Sequence, residues 1–362
     1  MQVARPQDLK LKRLLKKFVC VRVVQGNALN LQLFQFDYDL TFAAFFMNAD
    51  RTIYGRYGTR SSQEKPERDI SMQGFVSAVE GALELHGKFP GIRKSLAAKQ
   101  GGKPRYPTPD LYPTLKRFSP LLNYGGKVAQ SCLHCHMINA AEIELLRSKK
   151  APLPDKILYP WPLPGALGLQ LSPAERALVV NVVPSSAAHE AGFRHGDRIL
   201  SLEGQPILST ADIQWVLHNA PAPAKLTAVV KRAEKTTRLK LRLDADWRKS
   251  TDISWRGSTW PLRRMGFGGM RLKDVWDGDR KKKGLEGMAL WVRHVGQYGA
   301  HRAAKDAGFH KGDIVIEFDG IRERFTESEL LVHIFRKRKA GDLIPVKILR
   351  GNKRMSLRLP VR

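Results

Sequence analysis

Acidic residues are scarce. The 362-residue chain carries 34 Asp and Glu against 62 Lys and Arg, a formal net charge of +28 at neutral pH. A field of that sign attracts nucleic acid, anionic lipid and acidic protein. The basic residues are spread along the chain, with small clusters only at 10–17, 280–283 and 336–339. No zinc-finger spacing and no RNP-like motif accompanies them. A nucleic-acid or membrane-surface binder therefore rests on charge alone, nucleic acid is not an expected partner, and a solvated basic surface is the expectation. Cysteine is rarer still. Only Cys20, Cys132 and Cys135 occur, which excludes a disulfide-built scaffold. No run of about eighteen apolar residues is present, so no segment reads as a transmembrane helix. The opening MQVARPQDLKLKRLLKKFVCVRVV lacks the uninterrupted apolar stretch and small-residue cleavage site of a secretory signal. There is no G-x-S-x-G and no plausible Ser-His-Asp set, so no catalytic residue is assigned and a hydrolase is not expected. The hydrophobic fraction of 43% excludes a disordered chain, and the length suits two or three packed domains.

What is present begins with a repeat. The stretch AHEAGFRHGDRILSLEGQPI, Ala188–Ile207, aligns with AKDAGFHKGDIVIEFDGIRE, Ala304–Glu323, at a constant offset of 116 residues (Ala188 against Ala304). Gly192, Phe193, Gly196, Asp197 and Gly204 match Gly308, Phe309, Gly312, Asp313 and Gly320, which marks an internal duplication. Each copy reads the same way. A short Ala-rich helix (Ser186–Ala191, Ala300–Ala307) ends at a glycine suited to a left-handed cap. A tight turn at His195-Gly196-Asp197 or Lys311-Gly312-Asp313 leads into an apolar strand, Arg198–Leu202 or Ile314–Phe318. An amphipathic helix follows: Ala211–Asn219 with Ile213, Val216 and Leu217 on one face, and Glu327–Phe335 with Leu330, Leu331 and Ile334. Two β-rich segments close each copy, the second pair turning at Gly351-Asn352.

The A-x-x-A-G-F-x-x-G-D core and this element order resemble the PDZ domain, in the form found in bacterial high-temperature-requirement proteases. The resemblance implies a hydrophobic-Gly-hydrophobic loop that cradles the C-terminal carboxylate of a peptide, which then adds as a strand. On that basis the peptide-binding residues are Leu167, Gly168, Leu169 and Gln170 in the first copy, and Met265, Gly266, Phe267 and Gly268 in the second. The alternative is that these glycines only turn the chain into its first strand. The second copy also carries an insertion, RLKDVWDGDRKKKGLEG, that the first lacks. The implied partners are protein C-termini or extended peptides.

In the first half, residues 8–17 read as a basic helix and FVCVRVV (18–24) as a buried strand, with Cys20 an inert core residue. LTFAAFFMN (40–48) and TIYGRYG (52–58) read as a hairpin. The stretch from residue 70 to His86 reads as a helix with Phe75, Val79 and Leu83 at helical spacing. This order resembles the later part of a thioredoxin fold of the thioredoxin-7-like branch. With the PDZ copies, the whole resembles a bacterial thioredoxin-7/PDZ family that includes selenoproteins. A thioredoxin begins with a strand and a redox turn at a helix N-terminus, where the dipole lowers the thiol pKa. Neither is found here, and Leu40 stands where the usual cis-proline would be. The N-terminal half as written is not expected to run thioredoxin chemistry. Two explanations stay open. The natural start lies upstream of Met1, its redox turn and export signal lost where a selenocysteine codon is read as a stop, or the fold is degenerate and kept as a platform.

The sharpest motif is SCLHCHMINAA, residues 131–141. In C-x-x-C-H order, Cys132 and Cys135 can bond the two vinyl groups of a haem while His136 reaches the iron as an axial ligand. Haem c is thus the expected cofactor. Met47, Met72 and His86 are candidates for the sixth ligand. A dithiol that cycles with a disulfide is the next chemistry the motif fits. Zinc, with His134 as a further ligand, is weaker because no second cysteine pair exists. A plain structural role completes the set. Helix is expected over Met137–Lys149. The linker tryptophans in DWRKSTDISWRGSTW (246–260) are expected to pack on their neighbouring domains.

The fold class expected is α/β plus mostly-β. It comprises an incomplete thioredoxin-like domain (1–90), a Pro/Gly-rich segment with the C-x-x-C-H motif (91–160), a PDZ domain (161–244), a linker (245–260) and a second PDZ domain (261–362). The function expected is an extracytoplasmic, periplasmic redox-linked adaptor that binds peptides through its PDZ domains and carries haem c, with a possible redox partner protein. The alternatives are a PDZ scaffold with a dead thioredoxin fold and no haem, and a thiol oxidoreductase whose redox turn lies upstream.

Overall fold

The computed structural model describes residues 8–62, 64 and 68–362. They divide into two compact units. One is the chain up to Ile138 together with Tyr159–Thr251, and the other is Asn139–Leu158 together with Asp252–Arg362. The two repeat copies fall in different units, and the Pro/Gly-rich segment is divided between them. No helix among the described residues is long and apolar enough to cross a membrane.

In the first unit, helix α1 (Leu9–Leu15) starts at Asp8, whose carboxylate accepts from the Leu11 N–H at 2.7 Å and satisfies one of the donors a helix start leaves open. Strands β1 (Ala44–Met47) and β2 (Ile53–Tyr57) pair as an antiparallel hairpin. Helix α2 (Met72–His86) is capped by Ser71. Leu11, Phe46, Tyr54, Phe75 and Val79 meet in one buried cluster, so the helix–hairpin–helix order follows the apolar spacing.

Residues 18–24 correct the sequence reading. They form no strand: Val19 is 94% and Val21 83% exposed. Alternating Val and Cys supply β-propensity, but a strand needs a ladder partner for its N–H and C=O groups. The only pairing in this region among the described residues is the two-stranded β1–β2 hairpin. Cys20 is therefore an exposed thiol and not a core residue.

The first repeat copy builds a two-stranded sheet, β3 (Leu169–Leu171) with β4 (Val179–Val182). A second sheet comprises β5 (Arg198–Leu202), β6 (Gln205–Pro206), β7 (Ala224–Arg232) and β8 (Lys235–Leu243), in the order β6-β5-β7-β8. Helix α4 (Thr210–Asn219) presents Ile213, Val216 and Leu217 to the core between them. Along β7 every second residue is buried, the period-two pattern of a half-buried strand.

In the second unit, helix α5 (Trp260–Gly266) leads to a five-stranded sheet of order β13-β12-β11-β10-β9. Its strands are β9 (Arg271–Asp274), β10 (Leu290–His294), β11 (Ile314–Phe318), β12 (Leu343–Arg350) and β13 (Lys353–Pro360). Helix α6 (Glu327–Lys337) opens with a capping box between Thr326 and Glu329. Strand β9, within the stretch the sequence reads as an insertion, pairs with β10 as β3 pairs with β4, so the added residues are those after it, including a short helix, Asp277–Lys282.

The duplication holds at the level of single bonds. Asp197 accepts from the Arg194 N–H at 2.9 Å and from Arg232 Nε at 2.8 Å, while Arg232 also donates to the Gly192 carbonyl at 2.7 Å. Asp313 accepts from the His310 N–H at 2.8 Å and from Arg350 Nε at 2.7 Å, while Arg350 donates to the Gly308 carbonyl at 2.7 Å. The Gly-Asp of the motif is thus the anchor that ties the helix–turn to the sheet. Of the linker tryptophans, Trp247 joins the core of the first copy, Trp255 is buried and Trp260 stays 36% exposed.

Candidate functional site

In the first copy the residues 167–170 form a turn and the start of a strand. Gly168 ends the Pro164–Leu167 turn in the left-handed region, φ 83°. A Cβ there would come within 2.2 Å of Ser186, which caps the short helix Ala187–Glu190. Only glycine fits. Leu167 and Leu169 are buried on either side, and Gln170 is exposed. Val183 N–H donates to the Gly168 carbonyl at 2.8 Å, and Leu169 faces Val182. The pleat then turns the N–H and C=O of Leu169 to the outer edge, where a further strand would pair.

One side of α4 is covered by neighbouring segments. The Gln214 side chain donates to the Trp161 carbonyl at 3.0 Å and meets Thr59 Oγ1 at 2.6 Å, leaving Gln214 only 2% exposed. The Trp161 indole stacks flat on His218 at 4.3 Å. The neighbouring face is fastened by a buried ion pair, Lys99 Nζ to Asp212 Oδ1 at 2.7 Å. Arg56 lies over Trp215 at 3.9 Å. Burial pulls the Lys99 pKa down and Asp212 opposes that shift. Burial likewise brings Arg56 down to about 10.

In the second copy the cradle is shifted from the predicted residues. Met265 and Gly266 complete α5, and Phe267 is wholly buried. The left-handed turn is at Gly268 and Gly269, φ 58° and 86°. Gly296 N–H donates to the Gly269 carbonyl at 3.2 Å, the counterpart of the Val183–Gly168 bond. Gly269 therefore corresponds to Gly168. The apolar-Gly-apolar pattern at 265–268 is helix spacing read as a loop. The groove beside this cradle is closed: Glu327, at the start of α6, accepts from the Leu272 N–H of β9 at 2.7 Å and from Arg263 Nε at 3.0 Å. A ligand strand would need that N–H.

A family model for the PDZ domain matches residues 165–243. Those residues form a PDZ domain. Among curated proteins, a probable periplasmic serine protease do/HhoA-like of Haemophilus influenzae is 30% identical over 163 residues, 45% of this chain and 31% of that protein. The periplasmic serine endoprotease DegP of Escherichia coli K12 is 33% identical over 89 residues, 25% of this chain and 19% of that protein. The chain thus spans about a third or less of these relatives' length. Among solved structures, the HtrA3 PDZ domain bound to a phage-derived ligand (FGRWV) matches at 20% identity over 21% of this chain and 81% of that one, with a TM-score of 0.19. The HtrA-type protease AlgW with tripeptide matches at 15% identity over 36% of this chain and 42% of that one, with a TM-score of 0.23.

The cysteine motif lies apart from the PDZ cradle in the sequence. The second helix of this segment, α3 (His136–Ser148), begins immediately after Cys135, and Cys132 follows the short helix Val128–Ser131. Asn27, fully buried, holds the intervening turn. Its Oδ1 accepts from the Leu133 N–H at 2.8 Å, and its Nδ2 donates to the carbonyls of Ser131 at 2.8 Å and Ser119 at 2.7 Å. A Cβ at Gly26 would stand 3.6 Å from Leu133 and 3.8 Å from the Cys135 sulfur. Burial, and then the charge of Cys132, push the Cys135 pKa up. Burial pulls His136 down, with Asp39 opposing and His134 adding to the shift. The His134 and His136 rings lie 5.8 Å apart.

All three cysteines are free thiols. Among the described residues, no three His, Cys, Asp or Glu side chains converge as a metal-ligand set, which leaves the zinc reading without support. A haem would need open space beside both sulfurs. The Cys135 sulfur lies toward Gly26, and it acts on Tyr38, whose hydroxyl is pushed up first by burial and then by Cys135. Of the proposed sixth ligands, His86 is engaged by the Tyr54 hydroxyl at 2.8 Å, Met72 packs on the N-terminal core and Met47 ends β1.

Sequence reasoning missed Asn27, Trp161, the Lys99–Asp212 pair and the Arg263–Glu327 pair. A lone Asn or Lys carries no periodic signal. Trp161, in the run Tyr-Pro-Trp-Pro just ahead of the cradle, is the one that composition could have flagged.

Proposed function

We propose that the chain is a peptide-binding adaptor whose first PDZ domain receives the C-terminus or an extended strand of another protein, in an extracytoplasmic compartment. The observation that carries this reading is the left-handed Gly168 turn feeding the unpaired outer edge of β3. The periplasmic names of the curated relatives support the compartment. In this reading Trp161, held on Gln214 and His218, covers the resting groove and moves aside on binding. The second copy, with Glu327 on the β9 edge, is a poorer receptor. The N-terminal helix–hairpin–helix acts as a platform that holds α4.

Titration with a library of C-terminal peptides tests this. Binding should fall about tenfold or more when the peptide carboxylate is amidated, and in Gly168→Val, because the cradle is lost. Peptides that bind equally well in the amidated form, or to Gly168→Val, would remove the reading.

A further inference from the structure

We propose that Cys132 and Cys135 form a redox couple that exchanges with disulfides of peptides or proteins, Cys132 as the attacking thiol and Cys135 as the resolving one. The proposal is independent of the PDZ groove. Three observations carry it.

First, the two thiols stand three residues apart at the mouth of α3, and both are free. Second, the backbone on both sides of Cys132 is fixed by one wholly buried side chain. Asn27 accepts from Leu133 N–H and donates to the Ser131 carbonyl, and a further bond to Ser119 holds Asn27 itself. A buried amide with every one of these bonds made is a rigid clamp. It holds a C-x-x-C turn without touching either sulfur, which leaves both free to change partner. Third, the two sulfurs differ in setting. Both thiols are half-buried, and the Cys135 sulfur lies toward Gly26, where an added Cβ would stand 3.8 Å from it. Cys132 takes the first encounter with an incoming disulfide, and Cys135 closes the exchange.

The chemistry balances without a cofactor. The Cys132 thiolate attacks one sulfur of the substrate disulfide. A Cys132–substrate bond forms, the substrate S–S bond breaks, and the expelled sulfur leaves as a thiolate. Cys135 gives up its proton and attacks the Cys132 sulfur. The Cys132–Cys135 bond forms and the second substrate thiolate departs. Two electrons pass to the substrate, and its two thiolates take up the two protons the cysteines lose. Run backwards, the same steps oxidise a substrate dithiol.

The test uses the full chain carrying Cys20→Ala, so that the exposed third thiol takes no part. It is equilibrated with graded ratios of reduced and oxidised glutathione, quenched by alkylation and read by intact mass and peptide mapping. The expected result is two interconverting species, the dithiol and an internal Cys132–Cys135 disulfide, with one midpoint. Cys135→Ala should instead accumulate a glutathione adduct on Cys132, about tenfold faster than Cys132→Ala accumulates one on Cys135. Asn27→Ser should move the midpoint, because the clamp positions the pair. Glutathione adducts on both cysteines with no internal disulfide at any ratio, or equal trapping in the two single variants, would overturn the proposal. So would a Soret band and one haem of added mass after expression in a host that attaches haem c.

Discussion

Asp212 gathers more of the first unit than any motif residue does. Its Oδ1 accepts from Lys99 Nζ at 2.7 Å and from the Arg56 N–H at 3.1 Å, and its Oδ2 from the Leu208 N–H at 2.9 Å. Both Lys99 and Asp212 side chains are fully shielded from solvent. Taking one partner away strands a buried charge, which costs far more than the intact pair contributes. Lys99→Met should therefore destabilise the chain by about 3–5 kcal/mol, and Lys99→Met with Asp212→Leu should recover much of that loss. Urea denaturation of the two variants measures it. A double variant no more stable than the single one would show that the backbone bonds of Asp212, and not its charge pairing, carry the effect. Nothing in the sequence pointed to Lys99. A single lysine among 62 basic residues has no pattern, and its partner lies more than a hundred positions away.

At the scale of elements, pattern was legible where local chemistry decides and illegible where a partner decides. The Gly-Asp turns, the apolar strands that follow them and the amphipathic helices of both copies could be placed from local residues, because each is fixed within a few positions. Residues 18–24 could not: β-propensity there meets no ladder. The second cradle was misplaced by the same limit, since Met-Gly-Phe-Gly looks like a loop until helix α5 extends through Met265 and Gly266. The coverings of the two grooves were invisible because both arise from long-range packing. They also yield a prediction. Trp161→Ala removes the indole from His218 and loosens the segment whose carbonyl holds Gln214. Peptide affinity of the first PDZ domain should rise about three- to tenfold as the competing contact is lost, while thermal stability falls because a buried aromatic is gone. Isothermal titration and melting curves on the same preparation check both signs. An affinity that falls would mean that Trp161 forms part of the ligand's wall and is not its cover.

For the whole molecule the excess of positive charge governs how stability follows pH. Only 34 Asp and Glu side chains balance 62 Lys and Arg, so acid raises an already large self-repulsion. Particular carboxylates add to this. Burial works to raise the Asp197 pKa, but the bonds from Arg232 and from the Arg194 N–H outweigh it and the pKa is lowered. Asp319 behaves the same way, burial being outweighed by Arg338 and His333. A carboxyl whose folded pKa lies below its unfolded value stabilises the fold above the unfolded pKa. That contribution is lost as the pH falls through the folded one. The loss should therefore begin near pH 4, the ordinary carboxylate range, and deepen below it. At the other end, burial raises Tyr57 against the bond it makes to Ser71. Its contribution is whole below about pH 10 and is lost as the pH rises through the higher folded value. Urea midpoints measured from acid to alkaline pH should trace a plateau with these two edges. Asp197→Asn should lower the plateau and flatten the acid edge. Added salt should lift the acid edge only in part, because it screens the repulsion among exposed lysines and arginines but leaves the Asp197 pair, whose carboxylate is buried, largely unscreened. An acid edge that salt abolished would assign the whole effect to net charge and none to the ion pairs of the Gly-Asp turns.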